Sequence, residues 1–212
     1  MPRYYPAFLD LRQKSVVVVG GGEVAERKVE LLLSCGANVR LISPTLAPGL
    51  ERLVDTRSLT VERRSFQSGD CSGALLVFAC TDDPGVNSAV AKEAVEAHTP
   101  VNVADDPSLC DFIAPSVISR GDLLIAISTG GASPALAKRL RQEIERTVGP
   151  EYEELVSVLE DLRKRVHAMV HDPGRRQEMF ERFLDSDALE LIRKGDRAGL
   201  AELIQRLLNA AR

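Results

Sequence analysis

The feature that most constrains this chain is an apolar, β-branched run that ends in consecutive glycines and leads into a helical pattern. Four valines at residues 16–19 precede the glycines, and residues 24–34 have helical periodicity with Gly36 as a stop. A strand, a glycine turn and a helix in this order are typical of a dinucleotide-binding βαβ unit. Gly20 would allow the tight turn, and Gly22 would let a pyrophosphate approach the helix N-terminus. The alternative is a tight turn that binds nothing.

Composition and charge exclude several classes of protein. The 212 residues are 44% hydrophobic and 27% charged, as in a globular chain that buries one or two cores. The net charge of −4 lacks the basic footprint of a nucleic-acid-binding protein. No apolar stretch is long enough to cross a bilayer, and the N-terminus lacks a signal-peptide core, so we expect a cytoplasmic protein without membrane or nucleic-acid partners. The cysteines lack a CxxC pair and are expected to be buried, reduced thiols: Cys35, Cys71, Cys80 and Cys110.

The helix after the glycines is predicted to be amphipathic. Val24, Leu31 and Leu32 have the spacing of a core-facing stripe. Its charged residues are expected to be available to solvent, and these are Glu26, Arg27, Lys28 and Glu30.

Several further strands are predicted in the first half of the chain. They lie at residues 38–42, 59–63, 74–79 and 100–104, and a lead-in at residues 4–11 would pair at the sheet edge. The run at 74–79 is apolar throughout, which is typical of a central strand of a parallel sheet. In such a sheet, the residues that follow each strand border the ligand crevice.

Two of these strand ends carry candidate cofactor contacts. The residues after the second strand are Ser43, Pro44 and Thr45. Many dinucleotide-binding proteins have an acidic residue there, so its absence leaves the choice between NAD and NADP open. Thr81 and Asp82 follow the strand at 74–79 and are further candidates. Helix capping by Asp82 or Asp83 explains these residues nearly as well.

The end of the strand at 100–104 carries the strongest candidate for chemistry. Asn102, Asp105 and Asp106 lie here, before Pro107. A carboxylate at the carboxyl end of a strand, in the cofactor crevice, is well placed to remove a proton during dehydrogenation. The alternative is that both aspartates build the turn before the proline.

The pattern then changes to a hairpin and a second glycine-rich turn. Strands are predicted at 112–116 and 123–128, with a turn at 119–122 between them. The turn at 128–134 enters a helix whose N-cap is Ser133. The apolar face of this helix is Leu136, Leu140, Ile144 and Val148, and its cations Lys138, Arg139 and Arg141 lie elsewhere. The turn and these cations could bind a carboxylate-rich ligand. Ordinary capping beside a solvated basic face explains them equally well.

The remainder of the chain is predicted to be helical. A long helix starts at 151, a break follows at 172–174, and shorter helices are expected at 175–184, 188–194 and 198–208. His167 and His171 lie four residues apart on the long helix, a spacing that could hold a metal. No third ligand is nearby in sequence, so we predict a polar helix face and no metal site.

Taken together, the motifs resemble those of the siroheme synthase family, and more narrowly of its precorrin-2 dehydrogenase and sirohydrochlorin ferrochelatase portion. They are GGGEVAERK at 20–28, ACTDD at 79–83, Asn87, NVADDP at 102–107, FIAPS at 112–116 and STGGASP at 128–134. The resemblance is strong over about the first 150 residues and looser in the helical tail.

The resemblance implies an α/β fold in three parts. These are a Rossmann-like parallel-sheet domain at 1–112 that binds NAD, a small α+β dimerisation region at 113–149 and a helical C-terminal domain at 150–212, in a homodimer. The implied activity is NAD-dependent oxidation of precorrin-2 to sirohydrochlorin. Some members also insert iron, which makes Fe²⁺ a candidate second substrate. We expect no methyltransferase domain, because the sequence ends soon after the helical tail.

The resemblance also implies roles for individual residues. The family's essential aspartate follows its Asn-Val-x motif, which selects Asp105 over Asp106 as the catalytic residue. The cofactor contacts that the resemblance implies are Glu23, Val24, Pro44 and Thr45, and the glycine turn and the strand ends add Gly20, Gly22, Ser43, Thr81 and Asp82. From the residues themselves, at the end of the strand at 100–104, at the second glycine-rich turn and among the nearby cations, the expected substrate contacts are Asn102, Arg120, Ser128, Thr129, Gly130 and Lys138. Thr129 stands where the family has serine, so the hydroxyl is kept.

A regulatory protein is the alternative from another class. In it, the Rossmann-like domain would sense NAD and pass a signal through the helical tail without catalysis. The missing acidic residue after the second strand disfavours this class, and the NVADDP and STGGASP turns would have no role in it.

Overall fold

The computed structural model describes residues 3–55 and 57–210, and the chain divides into two compact units after Ala114. The elements of the first unit are β1 Ser15–Val19, α1 Glu23–Ser34, β2 Asn38–Ile42, α2 Pro48–Leu53, β3 Leu59–Glu62, β4 Leu76–Ala79, α3 Pro84–Glu96, β5 Val101–Val103 and a short 3-10 helix, Pro107–Leu109. The strands form a parallel sheet of order β3-β2-β1-β4-β5. Chain order therefore reverses beside β1, which makes the ends of β1 and β4 the topological switch point.

Alternate residues of β1 pack against two separate apolar clusters. Val16 and Val18 lie in a cluster with the buried face of α1, whereas Val17 and Val19 lie in a cluster with the buried face of α3. Because helices cover both faces, β1 and β4 are apolar throughout. The predicted Rossmann-like α/β fold is confirmed.

One prediction in the first unit is wrong, and one helix was not predicted. Residues 3–11 form no strand, and Tyr5, Phe8 and Leu9 in this segment are exposed. Helix α2 was not predicted, because its six residues are too few to establish a helical period. It begins at Pro48, a residue type suited to a first helical turn.

The second unit contains a hairpin and five helices within its described residues, which end at 210. Its elements are β6 Ser116–Arg120, β7 Leu123–Ile127, α4 Pro134–Thr147, α5 Glu151–Met169, α6 Pro173–Leu184, α7 Ala188–Lys194 and α8 Arg197–Asn209. Leu162, Val166 and Phe183 are fully buried in the helical core. Helix α4 contributes only Ala137 to the buried residues. The residue boundaries predicted for three domains remain predictions.

The first hairpin strand was predicted too early in the chain. Strand β6 begins at Ser116, immediately after Pro115, which has no N–H to donate to a sheet. Phe112, predicted as its first residue, instead packs edge-on against Phe78 of β4, with ring centroids 5.4 Å apart. The turn is also tighter than predicted, because Arg120 is the last residue of β6 and Gly121 supplies the positive φ of +56°.

The two histidines do not share a helix, contrary to the prediction. Helix α5 ends at Met169, so His171 lies beyond it. His167 instead accepts a hydrogen bond from Arg176 of α6, at 2.8 Å. Among the described residues, no helix is long and apolar enough to cross a membrane.

Candidate functional site

The three glycines of the turn have different environments. Gly20 has φ +115°, and a Cβ there would collide with the backbone carbonyl of Cys80. A Cβ on Gly21 would collide with the carbonyl oxygen of Thr45. These two glycines allow the turn to pack directly on the loops that follow β4 and β2.

Gly22 faces open space. It is the N-cap of α1 in an extended conformation, with φ −84° and ψ −172°, and a Cβ there would meet no atom within 4 Å. Among the side chains that the structure describes, none caps the first turn of α1. Uncapped N–H groups and the positive end of the helix dipole favour a bound anion. The turn therefore fits the pyrophosphate of a dinucleotide, with exposed Glu23 and half-buried Val24 beside it.

The loop after β2 is fastened to this turn. Ser43 is 5% exposed, and its hydroxyl donates to the carbonyl of Thr45 at 2.7 Å. The N–H of Ala47 donates to the carbonyl of Gly21, also at 2.7 Å. The buried Ser43 hydroxyl thus shapes the loop, while the side chains of Pro44 and Thr45 are exposed.

The loop after β4 separates two aspartates by function. Asp83 is the N-cap of α3 and accepts hydrogen bonds from the N–H groups of Gly85, at 2.7 Å, and Val86, at 3.3 Å. Asp82 is exposed and has no such bond among the described residues. The hydroxyl of Thr81 donates to Asn87 Oδ1 at 2.8 Å. Buried Asn87 therefore orients this loop, a role that its place in the sequence did not reveal.

The loop after β5 also separates two aspartates. Asp106 caps the 3-10 helix and accepts hydrogen bonds from the N–H of Ser108, at 3.0 Å, and from its hydroxyl, at 2.5 Å. Asp105 is exposed in the left-handed region, with φ +62°, and its carboxylate has no partner among residues 3–55 and 57–210. Non-glycine residues adopt this conformation rarely, and often at functional sites. Turn building is thus the role of Asp106.

The buried amide of Asn102 holds the segment that follows this loop. Its Nδ2 donates to the carbonyl of Phe112 at 2.9 Å and to Cys110 Sγ at 3.6 Å. The thiol of Cys110 also accepts from the N–H of Val103 at 3.1 Å. Asn102 therefore fixes the chain from 110 to 112 over β5.

The glycine turn and Asp105 lie on the same edge of the sheet. Gly20 follows β1, Asp105 lies beyond β5, and β4 is between them. Two strand spacings separate their strands by about 10 Å. This separation suits a cofactor that places its pyrophosphate at one point and its reactive ring at the other.

Contrary to the prediction, Lys28 does not face solvent. It is half-buried, with its ammonium 5.6 Å from the ring centroid of Phe78, and burial lowers its pKa. Lys28 lies four residues after Val24 and four before Leu32, so helical spacing alone would have put it on the core-facing stripe. Burial also raises the pKa of the neighbouring Cys80 thiol to about 11.

The glycine-rich turn of the second unit is closed by its own hydroxyls. Ser128 Oγ accepts from the N–H of Gly130, and Thr129 Oγ1 accepts from the N–H of Ser133, both at 3.0 Å. Ser133 in turn caps α4 as predicted. A Cβ on Gly130 or Gly131 would meet nothing within 4 Å, so the backbone of this turn is open to a ligand.

The candidate cations of the second unit differ in position and in pairing. Arg120 pairs with Leu123 at one end of the hairpin, whereas the glycine-rich turn follows Ile127 at the other end. Arg120 donates to the carbonyl of Val148 at 3.2 Å and to that of Ser119 at 2.8 Å. Arg139 and Arg141 form i,i+4 ion pairs with glutamates of α4. Lys138 is exposed and has no ion pair among the described residues. Within the same residues, no group of three metal-ligating side chains is found.

Comparison with known proteins accounts for nearly the whole chain. Residues 7–116 match a family model described as putative NAD(P)-binding. Residues 120–147 match the sirohaem biosynthesis protein central model, and residues 151–208 match the sirohaem synthase dimerisation region. The chain belongs to the siroheme synthase family.

Individual relatives agree with this membership. The siroheme synthase of Methylococcus capsulatus is 43% identical over 208 residues, which are 98% of this chain and 43% of the relative. The siroheme synthase of Thioalkalivibrio sulfidiphilus is 38% identical over 205 residues, which are 97% of this chain and 42% of the relative. The chain thus spans less than half the length of these siroheme synthases. Among solved structures, SirC, a precorrin-2 dehydrogenase, matches with a TM-score of 0.81 and 28% identity, over 96% of this chain and 100% of its own.

Proposed function

We propose that this protein oxidises precorrin-2 to sirohydrochlorin with NAD⁺. The observation that carries the proposal is the carboxylate of Asp105, which has no partner in the described part of the chain and lies on the same sheet edge as the open turn at Gly22. The match to a precorrin-2 dehydrogenase over its full length supports the substrate. The NAD-sensing alternative has no support, because the matched relatives are named as biosynthetic enzymes.

The first unit would hold the cofactor through its strand ends. The N–H groups at Gly22, Glu23 and Val24 bind the pyrophosphate, because the first turn of α1 has no side-chain cap. Gly20 keeps the turn against the loop after β4. The other cofactor contacts are Ser43, Pro44 and Thr45 after β2, and Thr81 and Asp82 after β4. NAD⁺, when bound, supplies the hydride acceptor.

Asp105 would handle the proton. Oxidation of precorrin-2 removes two hydrogens from the macrocycle, one as a hydride and one as a proton. The Asp105 carboxylate accepts the proton and passes it to solvent, to which its side chain is exposed. Asn102 acts as a positioning residue, because its buried amide fixes the segment that follows the Asp105 loop.

The substrate carries eight carboxylates, and the second unit offers a separate place for them. The open turn of Ser128, Thr129 and Gly130 presents backbone groups, and the ammonium of Lys138 has no partner among the described residues. Arg120, predicted as a further substrate contact, lies at the other end of the hairpin, where it anchors β6 to the carbonyl of Val148. We further propose that the protein is a cytoplasmic homodimer.

The variant Asp105→Asn tests the proposal, and Asp106→Asn is its matched control. Asparagine tolerates the left-handed backbone but accepts no proton, so kcat for NADH formation from precorrin-2 should fall by about 10²–10⁴-fold. The Kd for NAD⁺ and the melting temperature should not change. Asp106→Asn should keep its activity, because asparagine caps helices as well as aspartate does.

A wild-type rate in Asp105→Asn would remove this carboxylate from the mechanism. An equal loss in both variants would show that the loop conformation matters, and not the proton acceptor.

Fe²⁺ insertion into sirohydrochlorin is a second candidate activity. An exposed carboxylate without an internal partner can accept the pyrrole N–H protons as the metal enters, and no resident metal site is required. Adding Fe²⁺ to sirohydrochlorin with and without the protein, and following the absorption spectrum, tests it. A rate equal to the uncatalysed one would exclude this activity.

A further inference from the structure

The ammonium of Lys28 is a partly buried charge that has no counter-ion among the described residues. Its side chain is half-buried, and no carboxylate lies within ion-pair distance among residues 3–55 and 57–210. Its described neighbour is the ring of Phe78, 5.6 Å from the ammonium to the centroid. This distance is close to the limit of about 6 Å for a cation–π interaction.

The groups around this ammonium do not neutralise it. The thiol of Cys80 belongs to the same apolar cluster as Phe78 and the buried face of α1. Cys80 is 5% exposed, and with a pKa near 11 it carries no charge at neutral pH. The rings of Phe78 and Phe112, which pack edge-on against each other, are apolar and supply no negative charge. Lys28 therefore has the desolvation cost of a buried charge without the compensation of an ion pair.

Lys28 and Asp105 lie along neighbouring strands of the sheet. The ammonium of Lys28 lies over Phe78 of β4, Phe78 is paired with Asn102 of β5, and Asp105 follows Asn102 by three residues. They are not paired with each other, since no contact within 4.0 Å joins them. An anion that enters the crevice beside Asp105 would thus find a positive charge already in place.

The cofactor pyrophosphate is a poorer occupant for this charge. Lys28 lies six residues after Gly22, which is about 9 Å along the axis of α1. Its ammonium lies over Phe78 of β4, at 5.6 Å from the ring centroid. The carboxylates of the macrocycle are the anions of the proposed reaction that must come near Asp105.

We propose that Lys28 is a substrate-binding residue whose ammonium pairs with a carboxylate of the tetrapyrrole beside Asp105. This inference rests on the proposed function of the same crevice. An incoming carboxylate would supply the missing counter-ion, so part of the binding free energy comes from relieving an unpaired charge. Lysine suits this role, because its ammonium is a compact point charge on a flexible stem.

Lys28→Met, Lys28→Arg and Lys92→Met test the proposal. Lys92 is an exposed lysine of α3, on the opposite face of the sheet, and serves as the matched control. Loss of one charged hydrogen bond should raise both the KM for precorrin-2 and the Kd for sirohydrochlorin by about 10- to 100-fold in Lys28→Met. Lys28→Arg should recover part of the affinity. Lys92→Met should leave the KM for precorrin-2 and the Kd for sirohydrochlorin unchanged. The Kd for NAD⁺ should be unchanged in Lys28→Met.

The melting temperature separates this role from a structural one. Because Lys28→Met removes an unpaired, partly buried charge, its melting temperature should stay constant or rise. A fall in melting temperature with unchanged substrate affinity would identify Lys28 as a packing residue and overturn the proposal. A higher Kd for NAD⁺ in Lys28→Met would overturn it too, in favour of a cofactor contact.

Product binding keeps this inference distinct from the proposed function. Wild-type protein that forms no NADH from precorrin-2 would contradict the dehydrogenase activity. The comparison of sirohydrochlorin affinity between wild type and Lys28→Met would still decide the role of Lys28, because it requires no turnover.

Discussion

Neighbouring residues of identical or similar type do different work at this sheet edge. Gly20 is required by its positive φ and by the nearby carbonyl of Cys80, whereas Gly22 has ordinary extended torsions and open space beside it. Asp106 is occupied with a turn, whereas Asp105 is exposed and unpartnered among the described residues. A residue that the fold does not need, at a strand end that the fold makes accessible, is the better candidate for ligand contact.

Gly22→Ala should weaken NAD⁺ binding without destabilising the protein. The backbone of Gly22 suits alanine, and the added methyl group meets no protein atom, but it would occupy the space that the pyrophosphate needs. We expect the Kd for NAD⁺, measured by calorimetry, to rise by at least about tenfold, or 1.4 kcal/mol.

Gly20→Ala is the contrasting variant. It combines a positive φ with a backbone collision, so it should lose at least about 1–2 kcal/mol of unfolding free energy. Unchanged NAD⁺ affinity in Gly22→Ala would place the pyrophosphate elsewhere.

At the scale of elements, a group of ion pairs joins β2 to the end of β3 and the loop that precedes β4. Asp70 is 5% exposed and accepts two hydrogen bonds from Arg64, both at 2.7 Å, and one from the N–H of Gln67 at 2.8 Å. Arg40 of β2 pairs with Glu62 at 3.4 Å and with Asp70 at 3.5 Å. These ion pairs fasten the loop between β3 and β4 to the edge of the sheet, where β3 is the outermost strand and β2 is its neighbour.

Asp70 should make the stability of the protein sensitive to acid. The hydrogen bonds from Arg64 hold the pKa of Asp70 below its ordinary value. A lowered folded-state pKa stabilises the protein above the unfolded value of about 4, and the contribution is lost as the pH falls through the folded value. Asp70→Asn should therefore cost about 1–3 kcal/mol of unfolding free energy at pH 7, and the difference from wild type should shrink between about pH 5 and pH 2.

Urea unfolding at several pH values measures this difference. Asp10→Asn is the control, because the ion pair of Asp10 with Arg12 is exposed and should leave the unfolding free energy unchanged. A difference between wild type and Asp70→Asn that stays constant with pH would contradict the assignment.

At the scale of the whole molecule, α4 has an apolar face that its own chain leaves open. Leu136 is 48% exposed and Leu140 is 36% exposed, and they lie one turn apart on this helix. Exposed apolar patches of this kind are typical of protein–protein interfaces. Together with the match of residues 151–208 to a dimerisation region, this supports the proposed homodimer.

Leu136→Glu should shift the homodimer to single chains. A glutamate at this position would place a charge in an apolar interface, which is costly when the charge is unpaired. Light scattering after size exclusion should give two chains per particle for wild type and one for the variant, at the same concentration. Val95→Glu is the control, because it changes an exposed residue of α3. The Val95→Glu protein should remain a dimer. A Leu136→Glu protein that stays dimeric would exclude this face from the interface.

The sequence alone was sufficient where the signal is local. The apolar run of β1, the glycine turn, Pro84 at the start of α3 and the Ser133 cap of α4 each lie within a few residues of the element that they specify. Backbone torsions and helix capping depend on immediate neighbours, so these elements were predicted almost to the residue. The family motifs are local in the same sense.

Only the tertiary structure decided which side chains are free and which are engaged. It packs Phe112 against Phe78, it fastens the loop after β2 to the glycine turn through Ala47 and Gly21, and it pairs Arg40 with buried Asp70. These outcomes depend on contacts between segments that are distant in sequence, which no local period or cap encodes. The sequence thus determined which elements form and in what order, and the packing of those elements determined which charges remain available to a ligand.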